Sequence, residues 1–95
     1  MAIIRIMRPP MLTAEVYEAV NDRAGVSENP PEGLLIHTAG EVDGEWQIVD
    51  AWESEEHARR FDEERLAPAI EAVVGSAPPG PPPRTVYELH RVIRP

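Results

Sequence analysis

The chain has 95 residues, with nine basic and seventeen acidic side chains and a net charge of −8. An acidic surface argues against nucleic acid as a partner, because phosphates need Lys and Arg. Cysteine is absent, which excludes disulfides and thiolate metal sites. The apolar run Ala2–Ile6 is too short for a signal peptide, and no segment approaches the roughly 20 apolar residues of a membrane span. These features predict a cytoplasmic protein with one domain over residues 1–95.

The first third of the chain predicts a strand followed by a helix. Ala2–Met7 is rich in isoleucine, which favours a strand, and Pro9-Pro10 ends it because proline has no amide hydrogen for a sheet. Thr13 is a suitable helix N-cap, and apolar residues recur every four positions after it. The helix is expected to end near Gly25.

A β-hairpin is the strongest local prediction. Asp43-Gly44 is typical of a two-residue turn, and it joins predicted strands over Gly33–Val42 and Glu45–Glu53. If Val42 pairs with Glu45, one face of the hairpin carries four cross-strand pairs: Glu41 with Trp46, Ala39 with Ile48, His37 with Asp50, and Leu35 with Trp52. The other face carries Leu34, Ile36, Thr38, Val49 and Ala51.

A second helix and a last strand complete the chain. Ser54 is a suitable N-cap, and the apolar spacing slips before Pro68, which predicts a kink or break near residues 66–67. The proline-rich segment Gly75–Pro83 is interpreted as a stiff spacer or, alternatively, as a site for a proline-binding partner. Arg84–Arg94 alternates and predicts the last strand.

The order strand, helix, strand, strand, helix, strand predicts an α+β, ferredoxin-like fold. This fold is a four-stranded antiparallel sheet with both helices on one face, and right-handed crossovers place the first and third strands in its centre. We expect the helices to cover the face with Leu34 and Val49. The exposed face would then carry Trp46, Ile48 and Trp52, an apolar patch that predicts a two-fold homodimer with sheet against sheet.

The segment Asp50-Ala51-Trp52-Glu53-Ser54-Glu55-Glu56, followed by Phe61, resembles the strand-to-helix junction of the dimeric α+β barrel superfamily. That group includes antibiotic-biosynthesis monooxygenases, polyketide cyclases, muconolactone-isomerase-like proteins and haem-degrading proteins. The resemblance implies a dimeric barrel in which Trp52 lines a substrate cavity. Ile48 stands where the monooxygenases carry a cavity asparagine, and this departure weighs against cofactor-free oxygenation.

His37 and Asp50 form the sharpest chemical feature. A carboxylate beside an imidazole raises its basicity and fixes its tautomer, as a general base requires. The alternative is a structural pair in which each group satisfies the other. We predict both side chains on the exposed face, so a His37 that lies against the helices would refute that geometry and the acid/base site built on it.

Six further residues are candidates for contact with a ligand. Trp52 and Trp46 line either a ligand cavity or the dimer core, and Ile48 and Leu35 share their predicted face. Arg5 could bind an anionic group or pair with Asp50 or Glu88. His90 is a second acid/base candidate or an exposed histidine of the edge strand. No short metal-ligand spacing occurs, so we predict neither a metal nor another cofactor.

The leading functional hypothesis is a small enzyme that binds an aromatic or polyketide-like molecule between its sheets. It would act as a cofactor-independent monooxygenase or, alternatively, as a cyclase or isomerase. The rival hypothesis is a non-catalytic binding or stress-type dimer. An enclosed cavity of several hundred Å³ would favour a ligand, whereas a face filled by its own side chains would favour the rival.

Overall fold

The computed structural model describes residues 1–76 and 83–95, and the order of its elements is the predicted one. The elements are β1 (Ile3–Met7), α1 (Ala14–Ala24), β2 (Leu34–Val42), β3 (Glu45–Trp52), α2 (Glu55–Phe61), a π-helical turn (Asp62–Leu66), α3 (Ala67–Val74) and β4 (Arg84–Glu88). The antiparallel sheet has the order β2-β3-β1-β4, so β1 and β3 are central as predicted. The predicted α+β, ferredoxin-like architecture is confirmed.

Local sequence explains where the helices begin and end. The Thr13 hydroxyl accepts a hydrogen bond from the Val16 amide at 3.2 Å, and Gly25 ends α1 with a left-handed φ of 69°. The Ser54 hydroxyl likewise accepts from the His57 amide at 3.2 Å at the start of α2. These predictions are therefore confirmed.

The irregularity in the second helical segment differs from the predicted break. Leu66 and Ala67 keep right-handed helical dihedral angles, and Pro68 is tolerated in the first turn of α3. The shift in apolar spacing is absorbed one turn earlier, where Asp62–Leu66 forms a π-helical turn. This turn directs Asp62 towards β1, as the hydrogen bonds of its carboxylate show.

The hairpin forms with the predicted turn and most of the predicted register. Asp43 and Gly44 both have positive φ, 52° and 82°, as a type I′ turn requires. The pairs from Val42–Glu45 back to His37–Asp50 are confirmed. The pairing of Leu35 with Trp52 is wrong, because a β-bulge lies between residues 34 and 36 and Leu34 takes that place.

The assignment of the two sheet faces is also wrong. Arg5 and Trp52 are buried and contact the helical elements through Asp62 and Phe61, and the buried Asp50 lies on the same face, hydrogen-bonded to both. The face left uncovered carries Ile4, Ile6, Ile36, Thr38, Val42, Val49, Ala51, Thr85 and Tyr87. The number of apolar residues does not show which face the helices cover, because both faces are largely apolar. The charged Arg5 and Asp50 can lie on the covered face because they pair with each other.

The last strand is shorter than predicted. It ends at Glu88, and only the bond from the Leu89 amide to the Ala2 carbonyl, 2.8 Å long, continues the ladder. Tyr87 lies on the uncovered face and is 50% exposed. The central part of the proline-rich segment, 77–82, lies outside the described residues, so the partner site predicted there stays a prediction.

No helix in residues 1–76 and 83–95 is long and apolar enough to cross a membrane. The cytoplasmic location and the extent of the domain stay predictions.

Gly33 offers a test of how β2 is joined to α2. Its φ is 84°, and a Cβ placed there would lie 2.7 Å from Cβ of His57, whose Nδ1 is 2.7 Å from the Ser54 hydroxyl. We expect Gly33→Ala to lower the free energy of unfolding by about 1–3 kcal/mol more than Gly75→Ala. Gly75 has a similar φ of 86°, but a Cβ there would meet no atom of the described residues within 4 Å, so it isolates the cost of the dihedral angle.

Urea unfolding of both variants measures the difference. Equal losses of stability would show that the His57 ring does not restrict this position.

Candidate functional site

Arg5 is the centre of a charged network between the sheet and the helices. Its side chain is 4% exposed, and its Nε donates to Oδ1 of Asp50 at 3.1 Å. Its Nη1 donates to Oδ2 of Asp62, on the π-helical turn, at 2.8 Å. One guanidinium therefore ties β1 to β3 and to the second helical segment. Burial lowers the pKa of Arg5, but the hydrogen bonds that it donates to these carboxylates, together with their negative charges, outweigh burial and raise the pKa.

Asp50 is held ionised by its neighbours. Its carboxylate is 4% exposed and accepts a hydrogen bond from Nε1 of Trp52 at 2.9 Å, in addition to those from Arg5. Burial raises the pKa of Asp50, but His37 and then Arg5 and Trp52 oppose burial and bring the pKa below its usual range. This carboxylate therefore stays charged in the interior and can stabilise a positive charge on an adjacent group.

His37 is the adjacent group, and it lies against α1. Its Nδ1 is 3.8 Å from Oδ2 of Asp50, a distance suited to an ion pair but too long for a hydrogen bond. Its Nε2 is 2.7 Å from the hydroxyl of Tyr17 on α1. The predicted pairing of His37 with Asp50 is confirmed, whereas its predicted place on the uncovered face is wrong. The acid/base site expected on that face is therefore excluded.

The aromatic rings above the hairpin form a partly exposed cluster. Tyr17 packs against Trp46 with ring centroids 5.3 Å apart and planes 24° apart, an offset stack. The His37 side chain is 24% exposed, and Tyr17 and Trp46 are half-buried. The network thus runs from the buried Arg5 to an aromatic edge that borders solvent.

Side chains fill the deeper part of the space between sheet and helices. Trp52 is 1% exposed, packs against Phe61 with ring centroids 5.4 Å apart, and lies under the guanidinium of Arg5 at 5.5 Å. Among the described residues, no buried side-chain nitrogen or oxygen lacks a hydrogen-bond partner. Trp52 was expected on the uncovered face, but it lies in the core beneath α2.

Two surface clefts of the described chain lie elsewhere. One of about 230 Å³ separates α1 from α3, and one of about 120 Å³ borders Phe61 and His57. The larger is lined by Arg23, Ala24, Glu64, Arg65, Pro68 and Ala69. Neither is lined by His37 or Asp50.

The remaining candidate residues lie apart from this network or on its border. Ile48 is half-buried on the covered face, opposite Met7 of β1. Leu35 is 39% exposed in the β-bulge, so its expected place beside Trp52 is wrong. His90 lies beyond the end of β4 and is exposed, so it does not lie on the predicted last strand.

Sequence reasoning missed two residues of the network. Tyr17 carries no sequence signal for a polar role, although its place one turn into a helix that covers the sheet allows a contact with His37. Asp62 carried no signal of its own, because its approach to Arg5 depends on the π-helical turn. In the described ranges no group of three or more His, Asp or Glu could hold a metal ion.

Comparisons with known proteins bear on the fold. No protein-family profile and no curated protein matches the chain. The solved structures of similar shape include the haem-degrading protein Rv3592 of Mycobacterium tuberculosis, with 18% identity, a TM-score of 0.61, and coverage of 99% of this chain and 100% of the other. SnoaB, a cofactor-independent oxygenase from Streptomyces nogalater, has 12% identity and a TM-score of 0.59, with coverage of 97% of this chain and 94% of the other.

A third structure, a candidate antibiotic biosynthesis monooxygenase from Caulobacter crescentus, has 15% identity and a TM-score of 0.63, with coverage of 95% of this chain and 89% of the other. These similarities confirm the predicted ferredoxin-like α+β fold, which the chain shares with all three proteins. At these identities the likeness concerns the fold alone.

The network predicts a large effect of Asp50→Asn. The change leaves the buried Arg5 without its closest partner on the sheet, so we expect a loss of about 3–5 kcal/mol in the free energy of unfolding. Glu56→Gln is the control, because it removes an exposed partner of Arg60 at 3.5 Å and should cost at most about 0.5 kcal/mol.

Urea unfolding at several pH values checks the electrostatic origin of this loss. Because the pKa of Asp50 is lowered by folding, its contribution is complete above the unfolded pKa of about 3.9 and is lost as pH falls through the folded pKa. The gap between wild type and Asp50→Asn should therefore narrow below about pH 4. A gap that stays constant on acidification would contradict the assignment of a charged Asp50.

Proposed function

We propose that the protein is a homodimeric enzyme that binds a small aromatic or polyketide-like molecule on the helix side of its sheet. His37, backed by Asp50, is the acid/base group of this site, and Trp46 is an aromatic wall for the ligand. The observation that carries the proposal is the chain of contacts from Tyr17 through His37 to the ionised Asp50. It ends at a partly exposed aromatic cluster, where a flat molecule can stack.

The chemistry that this arrangement supports is proton abstraction from a phenol or enol. A base that removes the hydroxyl proton leaves an electron-rich anion, and the imidazolium that forms faces the carboxylate of Asp50. Both an oxygenation and a cyclisation or isomerisation can begin with such a step. The similarity in fold to a cofactor-independent oxygenase supports the oxygenation. Ile48 stands where the monooxygenases carry a cavity asparagine, and this departure favours a cyclisation or isomerisation instead.

The positions of Arg5 and Trp52 suggest supporting roles in this proposal. Both bind the carboxylate of Asp50 and are nearly inaccessible, with relative exposures of 3% and 1%. They would orient the carboxylate towards His37 rather than contact the ligand. Leu35 and His90 are proposed to have no part in the site, because they lie in the bulge and beyond β4.

A non-catalytic binding protein is the second candidate. Two observations favour it: the Tyr17 hydroxyl already occupies Nε2 of His37, and neither of the two clefts borders that histidine. In such a protein the polar network would fix the fold only.

The uncovered sheet face is the surface we propose for the dimer. Ile36 is 55% exposed, Tyr87 50% and Val42 37%, and they lie on one face with the half-buried Ile4 and Ile6. A contiguous apolar face of this kind is costly in water, and a second copy with the same face can cover it. The residues that were predicted to form the interface, Trp46, Ile48 and Trp52, lie on the other face.

Ile36→Asp tests the dimer. A charge at the most exposed isoleucine of this face should convert a dimer into a monomer at micromolar concentration, because it would be buried unpaired. Val74→Glu is the control, since Val74 is similarly exposed, at 50%, but lies on α3 in the helical layer. Analytical ultracentrifugation measures both variants. A wild-type chain that sediments as a monomer would exclude the proposed interface.

His37→Ala tests the enzyme. We first screen aromatic hydroxyl compounds by thermal shift, because a ligand at 100 times its Kd adds about 2.7 kcal/mol to the stability of the native state. With a compound that binds and is turned over, the variant should lose about 10²–10⁴-fold in turnover while its circular dichroism stays native.

The control variant is His57→Gln, which removes a half-buried histidine at the start of α2 and should retain turnover. Binding without turnover by the wild type would favour the non-catalytic candidate.

A further inference from the structure

We infer that the Tyr17 hydroxyl, hydrogen-bonded edge-on to Nε2 of His37, is the group that receives a proton from a ligand hydroxyl and passes its own proton to the histidine. This inference rests on the proposed function and adds a catalytic residue to it. It also names the class of ligand as flat molecules with an ionisable hydroxyl group.

The relative placement of the two rings supports a hydrogen bond in the plane of the imidazole. The planes are 3° apart, and their centroids are 6.0 Å apart. The hydroxyl oxygen and Nε2 lie in these planes only 2.7 Å apart, so the offset between the planes cannot exceed that distance. Stacked carbon rings are separated by about 3.5 Å or more. The phenol therefore meets the imidazole at its edge, where the nitrogen lone pair lies.

The phenol ring is held in this orientation from two sides. Trp46, on β3, packs on its face at a centroid distance of 5.3 Å. Tyr17 itself lies in the first turns of α1, whose start is fixed by the hydrogen bond between the Val16 amide and the Thr13 hydroxyl. The hydroxyl is therefore positioned before any ligand binds, which lowers the entropic cost of the reactive arrangement.

The polar groups around His37 fix the direction of proton movement. Nδ1 faces the ionised carboxylate of Asp50 at 3.8 Å, too far for a hydrogen bond, but this negative charge favours the tautomer of the neutral ring that carries its proton on Nδ1. Nε2 is then the acceptor, and the Tyr17 hydroxyl donates to it. The donating direction leaves the lone pairs of the Tyr17 oxygen available to a ligand hydroxyl.

The proton transfer balances without any further reactant. The O–H bond of the ligand breaks as its proton joins the Tyr17 oxygen, and the O–H bond of Tyr17 breaks as its proton joins Nε2. The products are a ligand oxyanion, an unchanged neutral Tyr17 and an imidazolium that faces Asp50. The reverse transfer restores the resting state when the product leaves.

The ligand class follows from the same geometry. A hydroxyl on a flat conjugated ring yields a stabilised anion, and its ring can lie beside the indole of Trp46. A ligand carboxylate would bring a second negative charge towards Asp50, and it has no proton to give at neutral pH. Phenols and enols are therefore the ligands that this site fits.

Tyr17→Phe tests the inference with 4-nitrophenol as the probe, because the phenolate form of this compound absorbs visible light. The variant keeps the stack on Trp46 and removes only the hydroxyl. At a pH where the free probe is mostly protonated, we expect bound probe to be ionised in the wild type. In the variant the ionised fraction should fall by about tenfold or more, as expected from loss of one hydrogen bond to a charged group.

Tyr87→Phe is the matched control, because it removes the other tyrosine hydroxyl of the chain from the opposite face of the sheet. It should ionise the probe as the wild type does. If Tyr17→Phe also ionises bound probe like the wild type, the role of Tyr17 is overturned while the proposed function survives. If the wild type neither binds nor ionises the probe, both the inference and the proposed function are overturned.

A measurement on the unmodified chain guards against a variant that does not fold. ¹⁵N NMR of the histidine side chains distinguishes the two neutral tautomers. The inference requires a proton on Nδ1 of His37 and a hydrogen-bonded acceptor at Nε2. A neutral His37 with its proton on Nε2 would overturn the inference, because this nitrogen could then not accept a proton from the Tyr17 hydroxyl.

Discussion

The buried guanidinium of Arg5 is the constraint on which the rest of the structure depends. Its charge lies between the carboxylates of Asp50 and Asp62 and is 3% exposed, so removal of the buried Asp50 would leave this guanidinium without its partner in the interior. The pair fixes β1 against β3, and the second carboxylate fixes the helical layer above the sheet. The π-helical turn belongs to this constraint, because Asp62 lies at its start.

The same network supplies the two groups of the described chain that we place in a reactive role, His37 and Tyr17. Asp50 is ionised because Arg5, Trp52 and His37 together outweigh its burial. A fixed negative charge next to an imidazole can assist a reaction only if that imidazole exchanges a proton with a ligand. The Tyr17 hydroxyl connects His37 to the partly exposed aromatic cluster where we place the ligand. Stability and proposed function therefore share one carboxylate, which is why the tests of the site use His37 and Tyr17 rather than Asp50.

The two faces of the sheet differ in composition and in what covers them. The covered face encloses charges that satisfy one another, together with Trp52 and Phe61. The uncovered face is apolar and exposed, which suits contact with a second copy of the chain. A chain of this length buries a modest fraction of its surface alone, so an interface on the uncovered face would add to its stability.

Local signals in the sequence determined the elements and their order. Caps at Thr13 and Ser54, the turn at Asp43-Gly44 and the alternation of the strands act over a few residues, so they can be read without the fold. The register that pairs His37 with Asp50 followed from the turn alone.

Only the tertiary structure decided which face the helices cover, because both faces are apolar enough to be buried. The tertiary structure also decided that a β-bulge shifts Leu35 and that a π-helical turn brings Asp62 to Arg5. Such backbone irregularities depend on packing between segments that are distant in the sequence. The contact of Tyr17 with His37 joins residues 20 positions apart on a helix and a strand, and no local pattern records such a distance.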